Sequence, residues 1–255
     1  MLELEISVDY PQKPGVLRKV CISIAPGEIL GLVGQSGSGK STMALAILGL
    51  LGHTGAQIHG RILLLGRDLL QCTQSEMRDI RGRLVSLAPQ SPMEALNPSL
   101  RVETHLREAW RAHSREPWGA QKDRVAHLLE SAGLSPPGSF LRRYPRQMSV
   151  GQAQRVLIAM ALLHSPPFLI ADEPTSALDV ITQREVLDLV RTIVADGQKS
   201  MLFISHDLPT VTGLCHRLAI LHQGEIVECG PVGQVVANPK NAYTRQLVKA
   251  VPKWP

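Results

Sequence analysis

The sequence predicts an α/β fold with a mostly parallel sheet, an antiparallel β subdomain at its N-terminus and a helical subdomain inserted in its middle. Three observations carry that expectation. Short apolar runs, Ile29 to Val33, Phe168 to Ala171 and Met201 to Ser205, read as strands buried on both faces of a parallel sheet. Helical stretches lie between them. A glycine-rich turn follows the first run directly and leads into a helix. With 255 residues, 44% hydrophobic and 19% charged, the chain can bury a large core, which excludes a disordered polymer.

The elements follow in order. Leu2 to Val8 alternates apolar and polar residues as a half-buried strand does, reaches Tyr10, and meets a turn over Pro11 to Gly15, so the first lobe reads as rich in hairpins. Pro26-Gly27-Glu28 opens the Ile29 to Val33 strand. Thr42 to Leu51 is rich in alanine, leucine and methionine and reads as a helix, with Gly49 and Gly52 as end signals. Across residues 95–165 the pattern changes to helices, Thr104 to His113, Gln121 to Ala132 and Gln152 to His164, separated by proline-rich loops such as Pro136-Pro137 and Pro166-Pro167.

Several function classes are disfavoured by composition. The cysteines, at 21, 72, 215 and 229, form no C-x-x-C pair and the histidines are dispersed, which argues against structural zinc, an iron–sulfur cluster or a disulfide framework and fits a reducing cytosol. The N-terminal MLELEISVDY is acidic where a signal peptide is basic, so the chain is expected to stay inside the cell. The longest apolar run, Val156 to Leu163, is far shorter than the ~20 residues of a membrane-crossing helix, so any membrane role would be peripheral. The net charge of +5 is spread in ones and twos with few aromatics, and no nucleic-acid partner is expected.

The strongest local signal is Gly34-Gln35-Ser36-Gly37-Ser38-Gly39-Lys40-Ser41, which satisfies G-x-x-x-x-G-K-[ST] between a predicted strand and a predicted helix. Its glycines let successive N–H groups face one concavity, and the helix start adds positive partial charge where a polyphosphate would sit. Lys40 would meet the β- and γ-phosphates, and the Ser41 hydroxyl would serve magnesium. The alternative is a glycine-rich turn with a chance lysine. The apolar run from Phe168 ends in Asp172-Glu173, two carboxylates at a strand's carboxyl end. Asp172 would enter a magnesium shell and Glu173 would polarise a water for attack on the γ-phosphate. The alternative is a solvated acidic loop.

With these motifs the chain resembles an ATP-binding cassette (ABC) ATPase, a P-loop NTPase core, over about residues 2–250. Ser149-Val150-Gly151-Gln152, followed by Arg155, resembles the family's signature motif, and Gln90 matches the Q-loop, which contributes to magnesium and catalysis. Ser176-Ala177-Leu178-Asp179 is similar to the D-loop, and His206 looks like the switch histidine. Tyr10 stands where the family's adenine-stacking aromatic sits; the other reading is a plain strand-end tyrosine. The resemblance implies ATP and Mg2+ as cofactors, held by Tyr10, the loop from Gly34 to Ser41 and Thr42. It further implies that a second cassette, a copy or a related subunit, presents Ser149, Gly151, Gln152 and Asp179. One departure stands out. The family pattern is L-S-G-G-Q, and Val150 replaces the first glycine; if that position required a positive φ, valine would be strained by about 1–2 kcal/mol.

Gln90-Ser91-Pro92-Met93-Glu94-Ala95-Leu96-Asn97-Pro98 resembles the Q-loop extension of importers for dipeptides, oligopeptides and nickel. Tyr144-Pro145, the run Gln154 to Leu162 and Asn241-Ala242-Tyr243-Thr244-Arg245 are similar to the same branch. The resemblance implies a single ATPase domain over residues 1–255 at the cytoplasmic face of the inner membrane. Its partners would be membrane-spanning subunits and, indirectly, an extracytoplasmic solute-binding protein. Met93, Leu96 and Leu100 are candidates for the groove that receives a membrane subunit, or for plain lobe core. A soluble ABC-type assembly or regulatory ATPase is the competing reading, and a small-molecule P-loop kinase would leave the signature and D-loop motifs without a purpose.

Overall fold

The computed structural model describes residues 1–176, 178–195 and 197–250. In chain order they form β1 (Leu2–Tyr10), β2 (Lys13–Ile24), β3 (Ile29–Val33), α1 (Lys40–Ile47), β4 (Gln57–Leu64), β5 (Arg67–Asp68) and α2 (Gln74–Ile80). There follow β6 (Val85–Ala88), α3 (Pro92–Ala95), α4 (Val102–Arg111), α5 (Lys122–Ser131), α6 (Pro137–Arg142), α7 (Val150–Ala161), β7 (Phe168–Asp172) and α8 (Val180–Val194). The chain closes with β8 (Ser200–Ser205), α9 (Leu208–Thr212), β9 (Arg217–His222), β10 (Glu225–Pro231), α10 (Val232–Ala237) and α11 (Ala242–Ala250). Two compact units result, one holding Met1–Arg78 and the chain from Gly197, the other the chain from Asp79 up to that point.

In the first unit, β2, β1, β4 and β5 form an antiparallel sheet in that order, and β10, β9, β3 and β8 lie side by side. β3 runs parallel to both β8 and β9, and β10 returns antiparallel along β9. The sequence explains the difference between the sheets. In β1 the leucines, Ile6 and Val8 are buried while Glu3 and Glu5 face solvent, the alternation of a sheet covered on one face. Every residue of β3 and β8 is buried, as central parallel strands require. Gly31 has its own reason: a Cβ there would lie 2.2 Å from Cγ1 of Val211, so α9 sits directly on the β3 backbone.

The second unit pairs β6 and β7 in parallel and packs α4 to α8 around one apolar core. Val102, Leu106 and Trp110 recur four residues apart on α4, as do Val125 and Leu129 on α5, and these stripes meet Phe140 and Leu157. Leu96 is 1% exposed within that core, whereas Met93 is 41% exposed. The expectation that Leu96 lines a docking groove is therefore corrected for that residue.

Element ends differ from the sequence expectation for local reasons. The turn expected over Pro11 to Gly15 shrinks to Pro11 and Gln12, because Tyr10 already pairs with Lys13. Gly15, at φ +67°, donates to Asp9 Oδ1 at 2.6 Å where the register shifts inside the hairpin. The helix expected at Thr42 starts at Lys40, because Gly39 at φ +109° turns the chain straight into it, and it ends at Ile47 ahead of Gly49 at φ +61°. The helix expected at Gln152 starts at Val150, capped by Ser149.

Gly31→Ala is expected to lower the unfolding free energy by about 1–3 kcal/mol, since Val211 is itself fully buried and has no room to yield. A urea melt checks it; an unchanged midpoint would mean that α9 does not seat on β3 this closely.

Candidate functional site

The phosphate loop leaves the end of β3 in the first unit. Gly34 is obligatory by geometry: a Cβ there would lie 2.2 Å from the carbonyl oxygen of Leu221 and 2.7 Å from Ser38 Oγ. Gly37 and Gly39 sit at φ +78° and +109°, which L side chains avoid. A Cβ on Gly39 would also lie 2.6 Å from Cδ2 of Leu17, so β2 closes one wall of the loop. Gln35, Ser36 and Gly37 are exposed at the lip, while Ser38, Gly39 and Lys40 are buried.

Lys40 is 5% exposed, and a buried ammonium is tolerated only with oxygen partners. Its Nζ donates to the carbonyls of Gly34 at 2.8 Å and Gln35 at 3.1 Å, so the loop's own main chain cages the charge. Ser38 Oγ is buried and, among the described residues, has no hydrogen-bond partner, a polar atom for which an anion is a fitting acceptor. Ser41 is exposed and Thr42 half-buried, both in the first turn of α1. Val33 pairs with Ser205 across β3 and β8, so Gly34 and His206 leave neighbouring strand ends, with His206 exposed. Tyr10 ends β1 half-buried, within the hairpin whose second strand supplies Leu17.

In the second unit, Asp172 is the last residue of β7 and Glu173 follows at φ +47°, a left-handed conformation unusual for glutamate. That bend sends the chain into a turn in which Ser176 donates its N–H and its hydroxyl to the Glu173 carbonyl, at 3.2 and 3.1 Å. Gln90 Nε2 donates to Glu173 Oε2 at 3.0 Å, which joins two of the three residues expected to be catalytic. Gln154, 1% exposed on α7, donates to the carbonyl of Pro89 at 3.2 Å and so holds the residue before Gln90. Its role was missed from sequence, where it lies inside an otherwise helical run.

Ser149 caps α7: its Oγ accepts the Gln152 N–H, and Gln152 Oε1 accepts the Ser149 N–H, both at 3.2 Å. This bond uses one of the two lone pairs of the Ser149 hydroxyl and leaves its O–H able to donate. Val150 is the first residue of α7 and carries no positive φ, so the strain anticipated at this position does not arise. Gly151 cannot vary in the same way, because a Cβ would lie 2.0 Å from Cγ2 of Thr182 at the start of α8. Asp179 caps α8, with Oδ1 accepting from Ile181 and Thr182 N–H at 3.1 Å each and Oδ2 accepting from Thr182 Oγ1 at 2.7 Å. The Thr182 hydroxyl and N–H hold its carboxyl below the usual aspartate range. Thr182 thus links the starts of two helices that the sequence showed only as separate motifs. Ala177 lies outside the described residues.

Known proteins place this arrangement. A family model described as ABC transporter matches residues 17–176. The chain is 42% identical over 235 residues to the peptidoglycan transport ATP-binding protein YejF of Agrobacterium fabrum, spanning 92% of this chain and 43% of that protein. It is 40% identical over 238 residues to the dipeptide transport ATP-binding protein DppD of Bacillus subtilis, spanning 93% of this chain and 71% of that one. The chain therefore covers less than half the length of the first relative. Among solved structures, the dimeric post-hydrolysis state of the ATP-binding cassette MJ0796 bound to ADP and Pi matches with a TM-score of 0.79 at 26% identity, over 91% of this chain and 99% of that one. Likeness of this extent, with most of a 40% identical relative covered, makes the chain a member of the ABC transporter family with the fold of its ATP-binding cassettes.

Proposed function

We propose that this chain is the ATP-hydrolysing subunit of an importer that takes up peptides. The carrying observation is Lys40 held by loop carbonyls, in the same loop as a buried Ser38 hydroxyl that has no partner among the described residues: a buried cation and a spare donor in a glycine loop are built for polyphosphate. In this reading the amides of Gly34 to Ser41, with Thr42, bind the triphosphate, Tyr10 stacks on the base, and Lys40 transfers its ammonium from carbonyls to phosphate oxygens. Glu173 accepts the proton of the attacking water, Gln90 orients the Glu173 carboxylate, and His206 hydrogen-bonds toward the γ-phosphate. Ser149, Gly151, Gln152 and Asp179 serve a second cassette, which is either another copy or a related subunit.

A hydroxyl, a carboxylate and an amide oxygen suit magnesium, which prefers hard oxygen ligands; Ser41, Asp172 and Gln90 would hold it. With its amide nitrogen on Glu173, Gln90 has its oxygen as the remaining ligand atom. When bound, the ion would neutralise charge on the phosphate oxygens.

The further partners in this reading are membrane-spanning subunits, with a solute-binding protein outside the membrane, and the working place is the cytoplasmic face of that membrane. Among the described residues no helix is long and apolar enough to cross a membrane, which accords with a peripheral subunit. Residues 95–165 would act as the helical subdomain within a single ATPase domain spanning residues 1–255. Peptide is the proposed cargo because the names of relatives carry dipeptide and peptidoglycan transport.

Three outcomes test the reading. Lys40→Ala is expected to reduce ATP turnover by roughly 100-fold or more, measured as phosphate release. Glu173→Gln should retain ATP in a filter-binding assay while hydrolysis falls by about 100- to 10,000-fold; near-normal turnover would remove Glu173 from the role of base. Met93→Asp, on an exposed side chain, should leave basal hydrolysis within about twofold and abolish peptide uptake by the assembled complex. Preserved uptake would place the docking surface elsewhere.

A further inference from the structure

Gln35 is held at both ends of its main chain. Its carbonyl accepts from Lys40 Nζ at 3.1 Å, and its N–H donates to the phenolic oxygen of Tyr243 at 3.2 Å. Tyr243, the second residue of α11, is 208 residues away along the chain and 8% exposed. Its ring stacks on His222 with centroids 3.8 Å apart, and the neighbouring residue, Leu221, supplies the carbonyl against which Gly34 fits. Burial pushes the phenol's pKa up. α11 is itself tethered: Glu228 on β10 accepts from the N–H groups of Lys240 and Asn241 at 2.9 and 3.0 Å, and Asn241 Oδ1 accepts the Tyr243 N–H at 2.8 Å.

We propose that Tyr243 is a positioning residue for nucleotide binding, one that fixes Gln35 and through it the carbonyl that holds the Lys40 ammonium. The role rests on the ATP-binding reading of the loop and adds a strap to it from the far end of the chain. A loop whose amides must converge on an anion loses conformational freedom when the anion binds, and a strap that removes this freedom beforehand lowers the cost of binding. The strap acts equally on bound ATP and on the transition state, so its loss weakens binding without slowing the chemical step.

Tyr243→Phe tests this in the full chain, since phenylalanine keeps the ring on His222 and deletes only the acceptor for Gln35. The dissociation constant of a fluorescent ATP analogue and the KM for ATP are expected to rise roughly 3- to 10-fold, the worth of one hydrogen bond, with kcat within about twofold. The melting temperature should move by no more than a few degrees, which a merely structural role in α11 would not predict. Glu228→Gln, which loosens the tether of α11 away from the loop, should shift KM in the same direction by a smaller factor. Unchanged affinity and KM in Tyr243→Phe overturn the role, as does a fall in kcat at constant KM. Wild-type chain that binds nucleotide no better than its Phe variant removes Tyr243 alone, whereas wild-type chain that binds none removes the ATP reading with it.

Discussion

An ammonium drawn out of water must be met by oxygen, and two of the oxygens that meet Lys40 are carbonyls of its own loop. Much follows from that constraint. The carbonyls of Gly34 and Gln35 turn toward the lysine, and in so doing turn the chain so that amides from the opposite side of each peptide can face outward. Gly34 has no side chain because the Leu221 carbonyl and the Ser38 hydroxyl occupy the space, and Gly39 has none because Leu17 and its left-handed φ forbid one. β3 needs to be immovable at its end, and it is buried along its whole length between β8 and β9.

A second constraint governs the other unit. Two helices, α7 and α8, begin against each other, and Gly151 is the position where the Thr182 methyl would collide with any side chain. Asp179 and Ser149 both satisfy orphan N–H groups at these starts, so residues with an expected role toward a second cassette already have work within this one. Val150 lies on the exposed side of the same turn in ordinary helical geometry, and a β-branched residue there costs nothing in backbone strain. Glu173 carries the opposite situation: its left-handed backbone costs about 1–2 kcal/mol, offset by the hydrogen bonds that Ser176 makes to its carbonyl and by Gln90 on its carboxylate.

Local buttresses complete both halves. Gln154 holds the backbone before Gln90 and Tyr243 holds the backbone of Gln35, and in each case a side chain from a helix fixes a loop by one hydrogen bond to its main chain. Fixing a functional loop from a packed helix is cheaper than stiffening the loop itself, because the helix has already lost its freedom to folding.

The strands β1, β3, β7 and β8 and the helices α1, α4, α5 and α7 were legible in the amino-acid sequence, because apolar runs and their periodicity depend on near neighbours alone. So was the phosphate loop, whose glycine spacing is a local demand of the backbone. The same local rules misplaced helix starts by about two residues where a capping residue, Gly39 or Ser149, lay just outside the apolar pattern. Whether Leu96 faced a partner or the core, whether Val150 was strained, and which distant residues touched the loop belonged to the tertiary structure. Each of those depends on what another segment brings alongside: Tyr243 on Gln35, Thr182 on Gly151, Val211 on Gly31. Spacing along a chain carries no record of such meetings, since packing, and not sequence order, determines which surfaces exclude water together.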